Sequence, residues 1–344
     1  MTFHILPYES NMSTEWDRFA SQARQQSLLF QRGFMDYHSD RFKDASLVVA
    51  DEKGRWKAVL PANVSRQDAA QVESHGGLTY GGLLSAPNLT ACETGEALRL
   101  SLLYYKESGY HTLLYKPTPS IYHTYPSDED LYWITQFGGT LLHRSLSSTI
   151  LLPQPLPFST LRRRKVHKAQ RESMLRHETA SDRLPDFWDV LSTVLREHHG
   201  TSPVHTLSEM HLLIKRFPQH IALHTLTRPA AEQTEDSGER EVLAGCVVFY
   251  TARTAHVQYI AASDEGRTLG ALDLLFHELL SQLETEGTDC RYLDFGISTE
   301  RHGTWLNHGL IFQKEGFGAR GVCYDEYTLP LLNNERLETA QPLI

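Results

Sequence analysis

Asp294 lies in the short apolar run Tyr292-Leu293-Asp294-Phe295, which ends at Gly296 and opens on the polar loop Ser298-Thr299-Glu300-Arg301-His302. Lys314 follows in a helix-like segment that begins near Trp305 and closes on Phe317-Gly318. A carboxylate at the end of a buried strand and a lysine beyond a polar loop suit acyl transfer to an amine. In that chemistry the amine must be neutral, the carbonyl oxygen must be stabilised as it becomes an oxyanion, and the leaving group must be protonated. Asp294 can accept the amine's proton, directly or through water; the alternative is an aspartate that caps the turn at Phe295-Gly296. Lys314 can stabilise the oxyanion or a donor phosphate; the alternative is an exposed helix lysine. His205, in the proline-stiffened stretch Ser202-Pro203-Val204-His205-Thr206, is a base, an acceptor contact or a structural histidine bonded within its loop.

The elements that must position these groups are legible around them. Ile221 to Thr227, Val242 to Tyr250 and Thr254 to Ala262 read as strands of an antiparallel meander. The acidic loop 231–241 between the first two carries no core-forming residue and is expected to be exposed and mobile. Leu269, Leu272, Leu275, Phe276, Leu279, Leu280 and Leu283 keep to one face of a helix that breaks at Glu286-Gly287. A last strand runs from Tyr324 to Leu329, and the tail after Pro330 is polar and expected to be loose. Upstream, Leu161 to His177 holds Arg162, Arg163, Arg164, Lys165, Lys168, Arg171 and Arg176 against one acid, Glu172. That segment is either a solvated helix face or a phosphate-binding helix, in which Arg163 and Arg164 would meet donor or acceptor phosphates bidentately. In the first half, two strands (Ser46 to Ala50, Trp56 to Ala62) precede the glycine-rich run His75 to Leu84. Its glycines match no phosphate-loop spacing and read as sites of close backbone approach, with Tyr80 and Gly81 candidates for an acceptor groove. The stretch Leu151 to Ser159, with three prolines, is the clearest boundary, dividing the chain into residues 1–152 and 153–344, with the basic segment 158–177 beside it.

The totals bound the class. The chain has 344 residues, is 40% hydrophobic and 22% charged, and carries a formal net charge of −9. That is an ordinary globular composition, long for one domain, with no apolar run near the ~20 residues of a membrane span. The acidic balance argues against DNA binding by the whole surface. The first residues lack a basic stretch followed by an apolar one, and Cys92, Cys246, Cys290 and Cys323 form no CxxC pair. These features predict a cytoplasmic protein with reduced, mostly buried thiols. Eighteen histidines show no HExxH or other metal spacing, so no metal ligands are assigned.

The order from Ile221 onward (three strands, helix, strand, helix, strand) resembles the GNAT N-acyltransferase fold. The resemblance implies that the strands flanking the long helix splay apart, with the acyl donor in the gap and its phosphates at the helix N-terminus. It implies Gln258 and Tyr259, on the strand before that helix, as donor-cleft residues. The family fingerprint Arg/Gln-x-x-Gly-x-Gly/Ala is met here by Arg267-Thr268-Leu269-Gly270-Ala271-Leu272, which departs at Leu272 and makes Arg267, Gly270 and Ala271 the donor-loop candidates. The run His75 to Gly82, the basic segment, His198 to Thr206, the Tyr292 to Gly296 run and Phe312 to Gly318 together resemble the FemAB-like proteins. The last matches that family's Phe-Lys-x-x-Phe-Gly ending with Lys314 in the lysine place and Gln313 in place of the first Phe. This second resemblance implies an α/β (α+β) protein of two tandem GNAT-like domains, each a mixed, largely antiparallel sheet flanked by helices. It implies transfer of an acyl or aminoacyl group to an amine, such as that of a peptidoglycan-precursor peptide, with aminoacyl-tRNA or acyl-CoA as donor co-substrate and no bound cofactor. An acetyl-CoA-dependent small-molecule N-acetyltransferase and a noncatalytic binding protein on the same fold are the alternatives.

Overall fold

The structure is a computed structural model that describes residues 2–172, 174–230, 240–285 and 289–340. The chain forms two compact units. One comprises Met1–Leu146, Thr299–Leu306 and Val322–Ile344; the other comprises Ser147–Ser298 and Asn307–Gly321. As the sequence predicts, the fold is α/β with GNAT-like architecture.

In the first unit, strands Phe3–Pro7, Leu47–Asp51, Trp56–Leu60 and Leu84–Ser85 pair antiparallel in that order. Strand Gln71–Ser74 pairs antiparallel with Asn63–Val64 and parallel with Thr112–Tyr115, which in turn pairs antiparallel with residues 327–330. Helix Ala91–Glu107 is opened by a capping box between Thr90 and Glu93 and buries Ala97, Leu98, Leu102 and Tyr105. The tail is better ordered than its polarity suggests. Leu331 and Leu337 are fully buried in the core of this unit, and helix Glu335–Thr339 is capped by Asn334.

The second unit is built on a sheet whose strands follow in the order 147–151, Tyr292–Ile297, Thr254–Ala262, Arg240–Tyr250, Ile221–Pro229 and Arg176–Thr179. All neighbours are antiparallel except Thr254–Ala262 and Tyr292–Ile297, which are joined by a helical crossover and pair parallel. The expected meander is present; its acidic connection, 231–239, and the helix break at Glu286-Gly287 lie outside the described residues. The amphipathic stretch forms two helices, Asp264–Leu269 and Ala271–Thr285, divided at Gly270. Gly270 has φ +84° and lies where a Cβ would fall 2.8 Å from the Lys165 carbonyl oxygen, so only glycine fits the turn and the close approach. Leu275, Phe276, Leu279 and Leu283 pack onto Leu243, Cys246, Val248, Leu293 and Phe295 of the sheet. The basic segment becomes helix Thr160–Gln170, which lies on helix Ala271–Thr285, followed by the unforeseen edge strand Arg176–Thr179. Helix Leu184–His199, with Phe187, Trp188 and Leu191 buried, packs on strands Arg240–Tyr250 and Thr254–Ala262. Among the cysteines Cys246 is buried and Cys290 partly so, while Cys92 and Cys323 are exposed, against the sequence expectation.

Candidate active site

The parallel pair Thr254–Ala262 and Tyr292–Ile297 stays in register at Thr254↔Tyr292, Ala255↔Leu293 and His256↔Asp294, and the pairing ends there. Two residues on, the first strand carries a β-bulge. Val247 faces Tyr259 and Val248 faces Val257, leaving Gln258 as the extra residue. A bulge bends its strand and re-aims the side chains beyond it. The second strand turns at Gly296, with φ +73°. Between residues 257–262 and 295–297, backbone that would have closed a ladder is available to a ligand.

The last paired residues are the polar ones. Leu293 and Phe295 face helix Ala271–Thr285, with the Phe295 ring 4.9 Å from that of Phe276. Alternation along the strand therefore puts Asp294 on the opposite face. There it is fully buried and accepts hydrogen bonds from Ser147 Oγ at 2.5 Å, Thr149 Oγ1 at 3.0 Å and His256 Nδ1 at 2.8 Å. The two hydroxyls come from the neighbouring strand, where Thr149 is the register partner of Asp294. Because an ionised carboxylate only accepts, the bond places the imidazole proton on Nδ1 and leaves Nε2 as the basic nitrogen. His256 is 9% exposed, and its Cε1 lies 3.4 Å from where a Cβ on Gly296 would stand. A Cβ there would make ordinary contact with the ring, so it is the φ of +73° that favours glycine at 296.

Lys314 projects from helix His308–Gly316, which is capped by Asn307. It is 5% exposed, and its ammonium donates to the carbonyls of Gly296 and Ile297, each at 2.8 Å. These are the carbonyls at the splayed end of the Asp294 strand, so the lysine pins that end. Burial pulls its pKa down from the usual lysine value to about 8, against the opposing pull of Asp294. Between pH 8 and the ordinary lysine range the unfolded chain binds more protons than the folded one, so stability rises with pH across that window. In urea titrations the wild type is expected to gain up to about 3 kcal/mol between pH 8 and 10.5 relative to Lys314→Met. Parallel pH profiles of the two proteins would contradict the placement. The following residues complete the segment. Phe317 stacks in a cluster with Phe276, Phe295 and Phe158, and Gly318, at φ +89°, passes so close to the Leu156 carbonyl that a Cβ would fall 2.3 Å from it.

The other sequence candidates fall in several places. His205 and Tyr259 meet: the tyrosine hydroxyl accepts from the His205 backbone N–H at 3.0 Å and bonds its Nδ1 at 2.6 Å, while its ring packs edge-on against Trp188. Burial raises the Tyr259 pKa, opposed by hydrogen bonds from His205 and Gln258. Gln258, Tyr259 and His205 thus form one hydrogen-bonded group just past the splay point. Arg267, Gly270 and Ala271 lie at the loop and short helix that follow this strand. Here Ser263 Oγ accepts from the Gly266 N–H, and a Cβ on Gly266 would strike the Leu243 carbonyl at 2.1 Å. Arg267 is ion-paired with Asp264 and bonded to His198 at 2.9 Å, and Glu265 is ion-paired with Arg228. Arg163 and Arg164 are exposed on helix Thr160–Gln170, whereas Arg162 turns inward to Asp273 at 2.9 Å. Tyr80 and Gly81 belong to the first unit. Tyr80 is 2% exposed, bonded to Ser27 and packed on Tyr122, and Gly81 lies where a Cβ would overlap the Ser74 carbonyl at 1.7 Å. Ser147, Thr149 and His256 carried no signal of their own in the sequence. The parallel register brings His256 to Asp294, and the antiparallel pairing on the other side brings Ser147 and Thr149. Among the described residues no group of three or more His, Cys, Asp or Glu side chains is arranged to hold a metal ion, and no helix is long and apolar enough to cross a membrane.

Residues 160–303 match the family model of the GNAT acetyltransferase domain. No curated protein matches the chain. Among solved structures the chain is similar to FemX, at 12% identity and TM-score 0.66, over 96% of this chain and 97% of that one. It is similar to the C-terminal domain of a putative lysylphosphatidylglycerol synthetase from Agrobacterium fabrum, at 13% identity and TM-score 0.56, over 95% and 94% of the two chains. It is also similar to L-PGS from Bacillus licheniformis, at 12% identity and TM-score 0.53, over 84% and 85%. Residues 160–303 thus match the model of the GNAT acetyltransferase domain, in a chain whose fold is similar to that of FemX.

Proposed function

We propose that the chain is an N-acyltransferase that moves an acyl or aminoacyl group from an activated donor to an amine at the splayed strands of its second unit. The observation that carries this reading is the position of the Asp294–His256 pair at the last register step before strands Thr254–Ala262 and Tyr292–Ile297 part. Asp294 orients the imidazole, and Nε2 of His256 takes the proton from the attacking amine. The amine nitrogen bonds to the donor carbonyl carbon, the bond to the leaving oxygen or sulfur breaks, and the imidazolium returns the proton to that atom. Unpaired backbone N–H groups along residues 257–262 are suited to the oxyanion. Lys314 keeps the strand end open by holding the Gly296 and Ile297 carbonyls, and His205 with Tyr259 and Gln258 walls the donor side.

Two donor classes fit such a step, and the loop after the strand favours one. In a coenzyme A site this loop offers free N–H groups and a cation to a diphosphate. Here the Gly266 N–H is taken by Ser263, and Arg267 is engaged by Asp264 and His198. An aminoacyl ester, which brings no diphosphate to this loop, suits it better than acyl-CoA. FemX and the lysylphosphatidylglycerol synthetase share the fold, which makes a peptidoglycan-precursor amine the first acceptor to try and a tRNA ester the first donor. Calorimetry with acetyl-CoA is expected to show no saturable binding up to about 1 mM. Mass analysis of reactions with aminoacyl-tRNA and a lysine-bearing nucleotide-peptide is expected to show an added aminoacyl group. Micromolar acetyl-CoA binding together with acetylated product would instead establish the small-molecule acetyltransferase reading.

A further inference from the structure

The outward face of helix Thr160–Gln170 serves neither the donor gap nor the core. At 100° per residue, Arg162, Val166 and Ala169 form the buried side. The opposite arc carries Arg163, Arg164, His167 and Lys168, continued by Arg171, with no acid among them. Among the described residues, none of these four full cations has a carboxylate within ion-pair distance. Arg163 bonds Thr160 Oγ1, and Lys168 reaches the Thr268 carbonyl. In a protein of net charge −9 this is a local reversal of sign. Glu172 and Glu284 lie at its margins.

A second, independent feature adjoins it. Leu156 and Leu161 are 45% and 49% exposed. Leu156 also lines a cleft of about 400 Å3, together with Phe158, Val166, Leu280, Arg163, His167 and Glu284. Cations around exposed aliphatic side chains and an apolar cleft are the composition of a surface that lies on a bilayer, where bases meet lipid phosphates and leucines enter the acyl boundary. A single-stranded RNA would instead be met by exposed aromatic platforms. The aromatic residue here, Phe158, is packed against Phe317.

We propose that this face docks the protein on an anionic phospholipid bilayer, with the arginines on the headgroup phosphates and the Leu156–Leu280 cleft receiving an acyl chain. The helix is joined to the donor loop through the Gly270–Lys165 approach and the Lys168–Thr268 bond, so a docked helix holds the catalytic unit at the membrane surface. The proposal does not depend on the acyl-transfer reading.

Sedimentation of the full-length protein with vesicles tests it. Partition onto phosphatidylcholine vesicles containing phosphatidylglycerol is expected to exceed that onto pure phosphatidylcholine by about 100-fold or more at low salt, and to fall as salt rises. Arg164→Ala with Arg171→Ala is expected to lower it about 25-fold, at roughly 5-fold per charge removed. Leu156→Ser with Leu161→Ser is expected to lower the binding that survives high salt. Unchanged circular dichroism and thermal midpoints establish that the variants fold. Equal partition onto the two vesicle types, or variants that bind as the wild type does, would overturn the proposal. So would an RNA oligonucleotide that strips the protein from the vesicles through the same arginines, which would assign the face to nucleic acid.

Discussion

Asp294→Asn is expected to lower turnover by about 10³- to 10⁴-fold while leaving the protein folded, because it changes which imidazole nitrogen carries the proton. The asparagine side chain fills nearly the same volume, and its oxygen can still accept from the hydroxyls of Ser147 and Thr149. Its amide nitrogen would then face His256 Nδ1 as a donor, where the carboxylate oxygen now accepts. The ring answers by placing its proton on Nε2, and the acceptor nitrogen that the proposed step requires is gone. The stability cost should stay near 1–3 kcal/mol. Asp294→Ala differs in kind: it strands three buried donors together and is expected to cost about 3–6 kcal/mol. Urea titrations of both variants, with turnover measured on the asparagine form, separate the two effects. A large fall in stability with little change in kcat for Asp294→Asn would make the aspartate purely structural.

Arg162→Met is expected to destabilise the second unit by about 3–5 kcal/mol, the usual consequence of leaving a buried charge without its partner. The guanidinium is 9% exposed, bonds Asp273 at 2.9 Å and lies 4.6 Å above the Phe317 ring. Asp273, 2% exposed, sits in the first turn of helix Ala271–Thr285, where the helix dipole favours its charge but does not replace the arginine. Removing both charges in Arg162→Met with Asp273→Leu is expected to recover most of the loss, because replacing a buried pair by apolar side chains is often neutral. A urea titration of the two variants reads this directly. A double variant no more stable than the single one would show that the pair does more than satisfy two charges.

Of these two cases, Asp294 was legible in the sequence and the inward turn of Arg162 was not. Asp294 and Lys314 stood out because a carboxylate in an apolar run and a lysine three residues before Phe317-Gly318 are local patterns. The meander and the crossover helix were legible from their hydrophobic periodicity. His256 was not, because its meeting with Asp294 depends on the register of two strands separated by the crossover helices, and no local pattern encodes that register. The same limit applies to Ser147 and Thr149, which look like ordinary polar strand residues until antiparallel pairing sets them beside the carboxylate. His205 and Tyr259 were singled out separately, and the fold made them one hydrogen-bonded pair. The basic segment misled in a specific way. Charge alone could not distinguish Arg162, which turns inward to a buried acid, from Arg163 and Arg164, which turn outward. The split at Gly270 was obscured because apolar side chains continue across it, and the ordered tail because Leu331 and Leu337 are isolated in a polar stretch.

Both the transfer chemistry and its location rest on one nitrogen. The decisive measurement is the rate of amide formation by His256→Gln against wild type, with saturating donor and amine and matched circular dichroism. Loss of a positioned general base predicts a fall in kcat of about 10²- to 10⁴-fold. A His256→Gln protein that forms the amide at the wild-type rate would place the chemistry elsewhere and contradict this assignment.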